Sequence, residues 1–174
     1  MKKVSFLLLM LTFTCTATFA QLTKEQIIKE WTRAKAYTKT YLDAMPADGY
    51  TFKATPEVRS FAGQMLHLAD DNYFFLSQVS GKPSPLAKGV SLEKTIEPNK
   101  EATTKAVLDS YDYAIGALQG MTEAQFGEEV TLGKLKATRG LLLAKGFEHQ
   151  THHRGQATIY LRLKGVTPPQ EMLF

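Results

Sequence analysis

Three observations predict an all-α protein built as a four-helix bundle. Four stretches carry apolar residues at helical spacing, two long connections separate them, and all four histidines fall on the second and fourth stretches. Bundles build ligand and metal sites in the core from side chains on facing helices. Histidines confined to two of four helices therefore suit one site between two neighbours.

The helical part begins after a leader. Lys2 and Lys3 form a short basic start, Val4 to Phe13 is an apolar run, and Ala17-Thr18-Phe19-Ala20 offers small residues for a signal peptidase. Residues 1–20 are predicted to be a signal peptide cleaved after Ala20, and residues 21–174 a single domain. The predicted location is outside the cytoplasm, periplasmic or secreted. The apolar run is too short for a stable membrane anchor. A lipoprotein reading at Cys15 is disfavoured because Thr14 precedes it. The leader holds two lysines and no acid, so its removal lowers the formal net charge from +4 to +2. The remaining lysines and arginines are scattered among acids, which argues against nucleic acid as a partner. The single cysteine leaves with the leader, so the mature chain has no disulfide and no thiol nucleophile of its own.

The first helix is predicted over Leu22 to Met45. Thr23 and Gln26 form a capping box, and Ile27, Trp31, Ala34, Thr38, Tyr41, Leu42 and Met45 make the inward stripe. Met45-Pro46 ends it and Ala47-Asp48-Gly49 is a turn. Tyr50 to Ala54 is predicted extended. Thr55-Pro56-Glu57 then supplies a cap, a first-turn proline and an acid, starting a second helix that runs to about Ser80. Val58, Phe61, Ala62, Met65, Ala69 and Leu76 form its core stripe. A second stripe, Ser60, Gly63, Gln64, His67, Asp71 and Phe74, is small and polar around His67, as the lining of a ligand cavity would be.

Residues 81–100 are predicted to be a loop with a short helical turn at most. The third helix runs from about Glu101 to Gln119, with Val107, Leu108, Tyr111, Ala114, Ile115 and Leu118 inward and Gly120 as its stop. In Thr122 to Ala137, Thr122 and Gln125 can cap one turn, and Val130 to Leu135 reads as a small hairpin or an extended crossover. Thr138 caps the fourth helix, which reaches about Lys164 before Gly165 and Pro168-Pro169. Its inward stripe is read as Leu142, Lys145, His149, His152, His153, Gln156, Ile159, Tyr160 and Leu163.

His149 and His153, four residues apart, stack on one helix face. Such a pair is half a metal site, and the only histidine elsewhere is His67. Neutral imidazoles bind zinc, nickel, iron and copper, and three protein ligands with an open position mark catalytic rather than structural metal sites. His152, three residues from His149, competes with His153. Without a glutamate between the histidines, the pair is not the metalloprotease motif. Glu148 points roughly 100° from His149 on the helical wheel and is not read as a base. Asp71, one turn beyond His67, can orient a ligand or simply be solvated or N–H-bonded. Arg154 reads as a surface or partner contact, and Gly155 as a point of close approach by a backbone or ligand.

His149-x-x-His152-His153-Arg154-Gly155-Gln156 with Leu161-Arg162-Leu163-Lys164-Gly165 resembles the closing helix of the DinB family. Thr55-Pro56-Glu57, Ser60-Phe61 and Gln64-Met65-Leu66-His67 resemble the family's second-helix segment. The resemblance spans essentially the whole mature chain. It implies a DinB-like four-helix bundle, often a homodimer, with a divalent metal (Zn, Ni or Fe) held by His67, His149 and His153. It also implies a small-molecule substrate, since characterised relatives include metal-dependent transferases using bacillithiol or mycothiol, and maleylpyruvate isomerase. The export signal is a departure, because those thiol-dependent relatives work in a reducing cytoplasm. Two other readings stand beside a metal-dependent hydrolase or transferase: a non-catalytic metal- or ligand-binding bundle, and a bundle holding haem through its histidines, for which no C-x-x-C-H attachment motif exists.

Overall fold

The computed structural model describes residues 22–174, so the predicted signal peptide and its cleavage point lie outside the described residues. The architecture is the predicted four-helix bundle, made by α1 (Lys24–Ala44), α2 (Phe61–Ser80), α4 (Lys100–Gln119) and α5 (Arg139–Leu163). One turn of helix, α3 (Leu92–Thr95), interrupts the long α2–α4 connection. A hairpin of β1 (Glu129–Leu132) and β2 (Leu135–Thr138) leads into α5. Its strands are antiparallel, pairing Glu129 with Thr138 and Leu132 with Leu135. Gly133 supplies the turn's left-handed φ of 61°. Of the two readings offered for Val130 to Leu135, the hairpin is the one adopted. Around the bundle the order is α1, α4, α2, α5, so α2 packs on both α4 and α5. Among the described residues, no helix is long and apolar enough to cross a membrane.

The caps explain most boundaries. Thr23 and Gln26 close the full capping box on α1, Asn99 caps α4, and Thr138 accepts from the Leu141 N–H at the start of α5. Thr122 and Gln125 form a second capping box on a short 3-10 turn over Glu123–Gly127.

The start of α2 departs from expectation. Thr55-Pro56-Glu57 lies in an irregular turn, Val58 is exposed, and Ser60 caps the helix by accepting from the Gly63 N–H. The backbone settles the contest between two possible caps. Phe61 N donates to Phe52 O and Ala62 N to Tyr50 O, which satisfies the first-turn donors from the preceding chain and holds 53–59 outside the helix. Tyr50 itself is not extended: it ends a 3-10 turn in the right-handed helical region.

The core joins Trp31, Leu42 and Met45 of the first helical segment to Phe61, Met65 and Leu76 of α2, Val107, Tyr111 and Leu118 of α4, and Leu161 of α5. The buried face of α5 is Leu142, Leu143, Gly146, Gln150, His153, Arg154, Ala157, Tyr160 and Leu161. This corrects the predicted stripe, in which Lys145, His152, Gln156, Ile159 and Leu163 faced inward; all five are exposed. Apolar residues are spread around α5, so periodicity alone does not set its face. The close-approach glycine is Gly146 rather than Gly155. A Cβ at Gly146 would lie 2.9 Å from Phe75 Cβ, whereas one at Gly155 would meet nothing within 4 Å. α5 therefore lies against α2 at Gly146, one turn before the histidines.

Arg154 is a second correction. It is buried, not a surface contact. Its Nη1 donates to Gln150 Oε1 at 2.8 Å, and the guanidinium lies 4.5 Å from the Tyr37 ring centroid. Tyr111 also donates to Gln150 Oε1, and Thr38 bonds Tyr111, so one polar network joins α1, α4 and α5. A long side chain can carry its charge into a core that supplies acceptors and an aromatic face.

Candidate metal centre

α2 and α5 bring His67, His149 and His153 together. His149 and His153 are stacked by the four-residue spacing on α5, with Nε2 atoms 3.0 Å apart and ring centroids 4.3 Å apart. The His67 ring centroid lies 4.6 Å from that of His153 and 5.4 Å from that of His149. The three predicted residues thus form one cluster, and it has a fourth member. Asp71 Oδ2 lies 3.1 Å from His67 Nε2 and 3.2 Å from His149 Nε2. Asp71 is partly buried, so it both faces the two rings and keeps some solvent contact.

Each of the four residues offers one ligand atom, and these atoms all lie within 4.8 Å of one another. The spacing fits a shared cation. Two ligands about 2.1 Å from a tetrahedral ion are about 3.4 Å apart, close to the 3.0–3.2 Å separations of the ring nitrogens and carboxylate oxygen. The donor set, imidazole with one carboxylate, suits zinc and similar divalent metals. His149 Nδ1 is buried and has no hydrogen-bond partner. That nitrogen lies on the other edge of the ring from Nε2, the atom that faces His153 and Asp71.

Protonation agrees with this reading. Burial, then the neighbouring imidazoles, push His153 down to about 3, so it is neutral at ordinary pH. Burial also lowers His149, against the opposing pull of Asp71. Burial raises Asp71, and the two histidines beside it pull it back. Neutral imidazole is the form that ligates a metal.

The surroundings are unequal. Gln64 of α2 is buried with its Nε2 2.6 Å from His153 Nδ1. Phe75 packs beside His149, with centroids 5.9 Å apart, and Gly146 makes room for it. Phase in the sequence hinted at neither Phe75 nor Gly146 as site neighbours; a lone glycine one turn before a histidine pair was the available signal. His152 is exposed and turns to Gln156, with Nε2 atoms 2.7 Å apart, so it stands outside the cluster. Glu148 is exposed and paired to Lys145, which holds its carboxyl below the usual range. Asp71 alone of the four lines a cavity of about 900 Å³; none of the three histidines does. Phe74 and Ser77 line it from α2, Lys88 and Ser91 from the long loop, and Thr131 from the hairpin.

Comparison with known proteins bears on the family and the fold. The DinB family model matches residues 15–172. An uncharacterised Bacillus subtilis (strain 168) protein, YjoA, is 23% identical over 146 residues, covering 82% of this chain and 91% of its own. The crystal structure of that DinB-like protein has a TM-score of 0.66 at 19% identity, over 86% of this chain and 96% of that one. A DinB-like protein from Bacillus cereus ATCC 10987 gives a TM-score of 0.68 at 20% identity, over 85% and 97%. These structures share the fold, and with the family match over nearly the whole chain they lead to one conclusion: this protein belongs to the DinB family.

Proposed function

We propose that the protein is an exported, divalent-metal-dependent enzyme acting on a small molecule, of the hydrolase or thiol-transferase type. The observation that carries this is the convergence of three imidazoles and one carboxylate from α2 and α5, with the carboxylate at the edge of an open cavity. The export part rests on the leader-like residues 1–20.

His67, His149 and His153 hold the cation. When bound, a divalent ion of this kind supplies Lewis acidity, polarising an oxygen or sulfur and favouring its anion. The chain's own residues supply the rest. Asp71, at the cavity edge, holds a proton at Oδ2 or offers that oxygen to the cation. Phe75 covers one side of His149 and limits water there. With no cysteine among residues 21–174, any reacting thiol comes from the substrate or a small cofactor.

The reading is tested by loading the metal-free protein with Zn²⁺, Ni²⁺ or Fe²⁺ and screening esters and thiol conjugates. Turnover that needs the metal and disappears in His67→Ala and His153→Ala is the expected result. Full metal loading without turnover across the panel would favour a binding bundle instead.

A further inference from the structure

We infer that Gln64 is a positioning residue for the metal ligand His153, and that Gln156 and His152 extend its hydrogen-bond chain to the surface. This rests on the metal reading above.

The chain is continuous. His153 Nδ1 lies 2.6 Å from Gln64 Nε2, Gln64 is bonded to the Gln156 side chain, and Gln156 Nε2 lies 2.7 Å from His152 Nε2. Gln64 and His153 are both buried, whereas Gln156 and His152 are exposed. Gln64 sits one turn before His67 on α2, so a single stretch of that helix carries one ligand and the support of another.

An amide turned by 180° exchanges its donor and acceptor with little change of shape, so the chain has two self-consistent polarities. In the first, Gln64 Nε2 donates to His153 Nδ1 and to Gln156 Oε1, and Gln156 Nε2 donates to His152. His153 then carries its proton on Nε2, the atom facing His149, and cannot ligate through it. In the second, both amides are turned. His153 Nδ1–H and Gln156 Nε2–H donate to Gln64 Oε1, and His152 donates to Gln156 Oε1. His153 Nε2 then presents its lone pair to the cluster. The heavy atoms need not move. Cation binding selects the second polarity, because a ligating imidazole must donate its other N–H and Gln64 is the group in place to receive it.

Two variants separate this role from a packing role. Gln64→Met keeps the bulk and removes the acceptor. Gln64→Glu keeps an acceptor of fixed polarity and buries a carboxylate. Zn²⁺ is titrated into each metal-free protein in competition with a chromophoric chelator, and the metal-free melting temperatures are recorded. Gln64→Met is expected to weaken Zn²⁺ binding about 10–100-fold, with a modest drop in metal-free melting temperature because the buried His153 Nδ1 loses its partner. Gln64→Glu is expected to bind within about threefold of wild type or tighter, while melting lower without metal. A packing role alone predicts the reverse order, with Glu the more damaging. Gln64→Met binding as tightly as wild type, or Gln64→Glu binding no better than Gln64→Met, would overturn the inference. A wild-type chain that binds no Zn²⁺ overturns the metal reading, and this inference with it, before any variant is compared.

Discussion

Two polar groups lie in the interior of this bundle, less than two helical turns apart on α5, and they behave differently. Around Gln150, donors from three helices converge on shared acceptors. Gln150 Oε1 receives both Tyr111 and Arg154, Thr38 bonds Tyr111 at 2.8 Å, and Gln150 Nε2 donates to Phe147 O at 3.0 Å. Around His149 the arrangement is open. Two Nε2 atoms face each other, Asp71 Oδ2 serves two rings, and His149 Nδ1 has no partner. A closed network holds helices in register; facing ring nitrogens and a shared carboxylate oxygen form a group that could hold a cation. Polarity in a core is therefore not by itself the mark of a site.

The largest expected effect comes from breaking the closed network. Gln150→Leu leaves the Arg154 guanidinium and the Tyr111 hydroxyl without their shared acceptor, and should cost about 3 kcal/mol in urea unfolding. The folded fraction should still bind metal. Next, Gly146→Val forces a side chain into Phe75, whose Cβ would be 2.9 Å from the first added atom. A loss of about 2 kcal/mol is expected, with weaker metal binding because Phe75 packs on His149.

Much of the open site was legible in the sequence, and little of the closed one. The four-residue spacing of His149 and His153 needs only helix geometry, and His67 was the one histidine left to pair with them. Arg154 and Gln150 were not legible, because a polar residue becomes buried only when other helices bring acceptors to it. Thr38 and Tyr111 arrive from α1 and α4, which no local pattern reveals. The same holds for the start of α2. Both Thr55 and Ser60 are competent caps, and pairing of Phe61 and Ala62 with the Tyr50–Phe52 segment decides between them.

A smaller effect separates the apolar core from both networks. Tyr50 is fully buried and donates to Leu42 O at 2.8 Å, and burial pushes its hydroxyl up to about 12. The unfolded chain ionises near 10 while the folded one keeps the proton, so the folded state binds more protons in that window. Stability should be complete below about pH 10 and fall as pH rises towards 12. Tyr50→Phe should cost about 1 kcal/mol at neutral pH and make the alkaline loss shallower, as followed by urea midpoints between pH 9 and 12. Tyr37 and Tyr73, also raised to about 12, and Tyr111, Tyr113 and Tyr160, likewise raised by burial, account for the slope that remains.

The smallest stability change is expected at the open site itself. His67→Ala removes a half-buried ring from an incomplete cluster, so metal-free stability should shift by no more than about 1 kcal/mol. The same change should abolish stabilisation by added metal, which for wild type grows with the ratio of metal to Kd.

The most direct test is metal content. Untagged protein is stripped of metal, equilibrated with a slight excess of Zn²⁺, Ni²⁺ or Fe²⁺, dialysed and analysed for bound metal. One divalent ion per chain, lost in His67→Ala and His153→Ala but kept in Gln150→Leu, is the predicted result. No stoichiometric ion in the wild type, or equal retention in the histidine variants, would contradict a metal centre between α2 and α5.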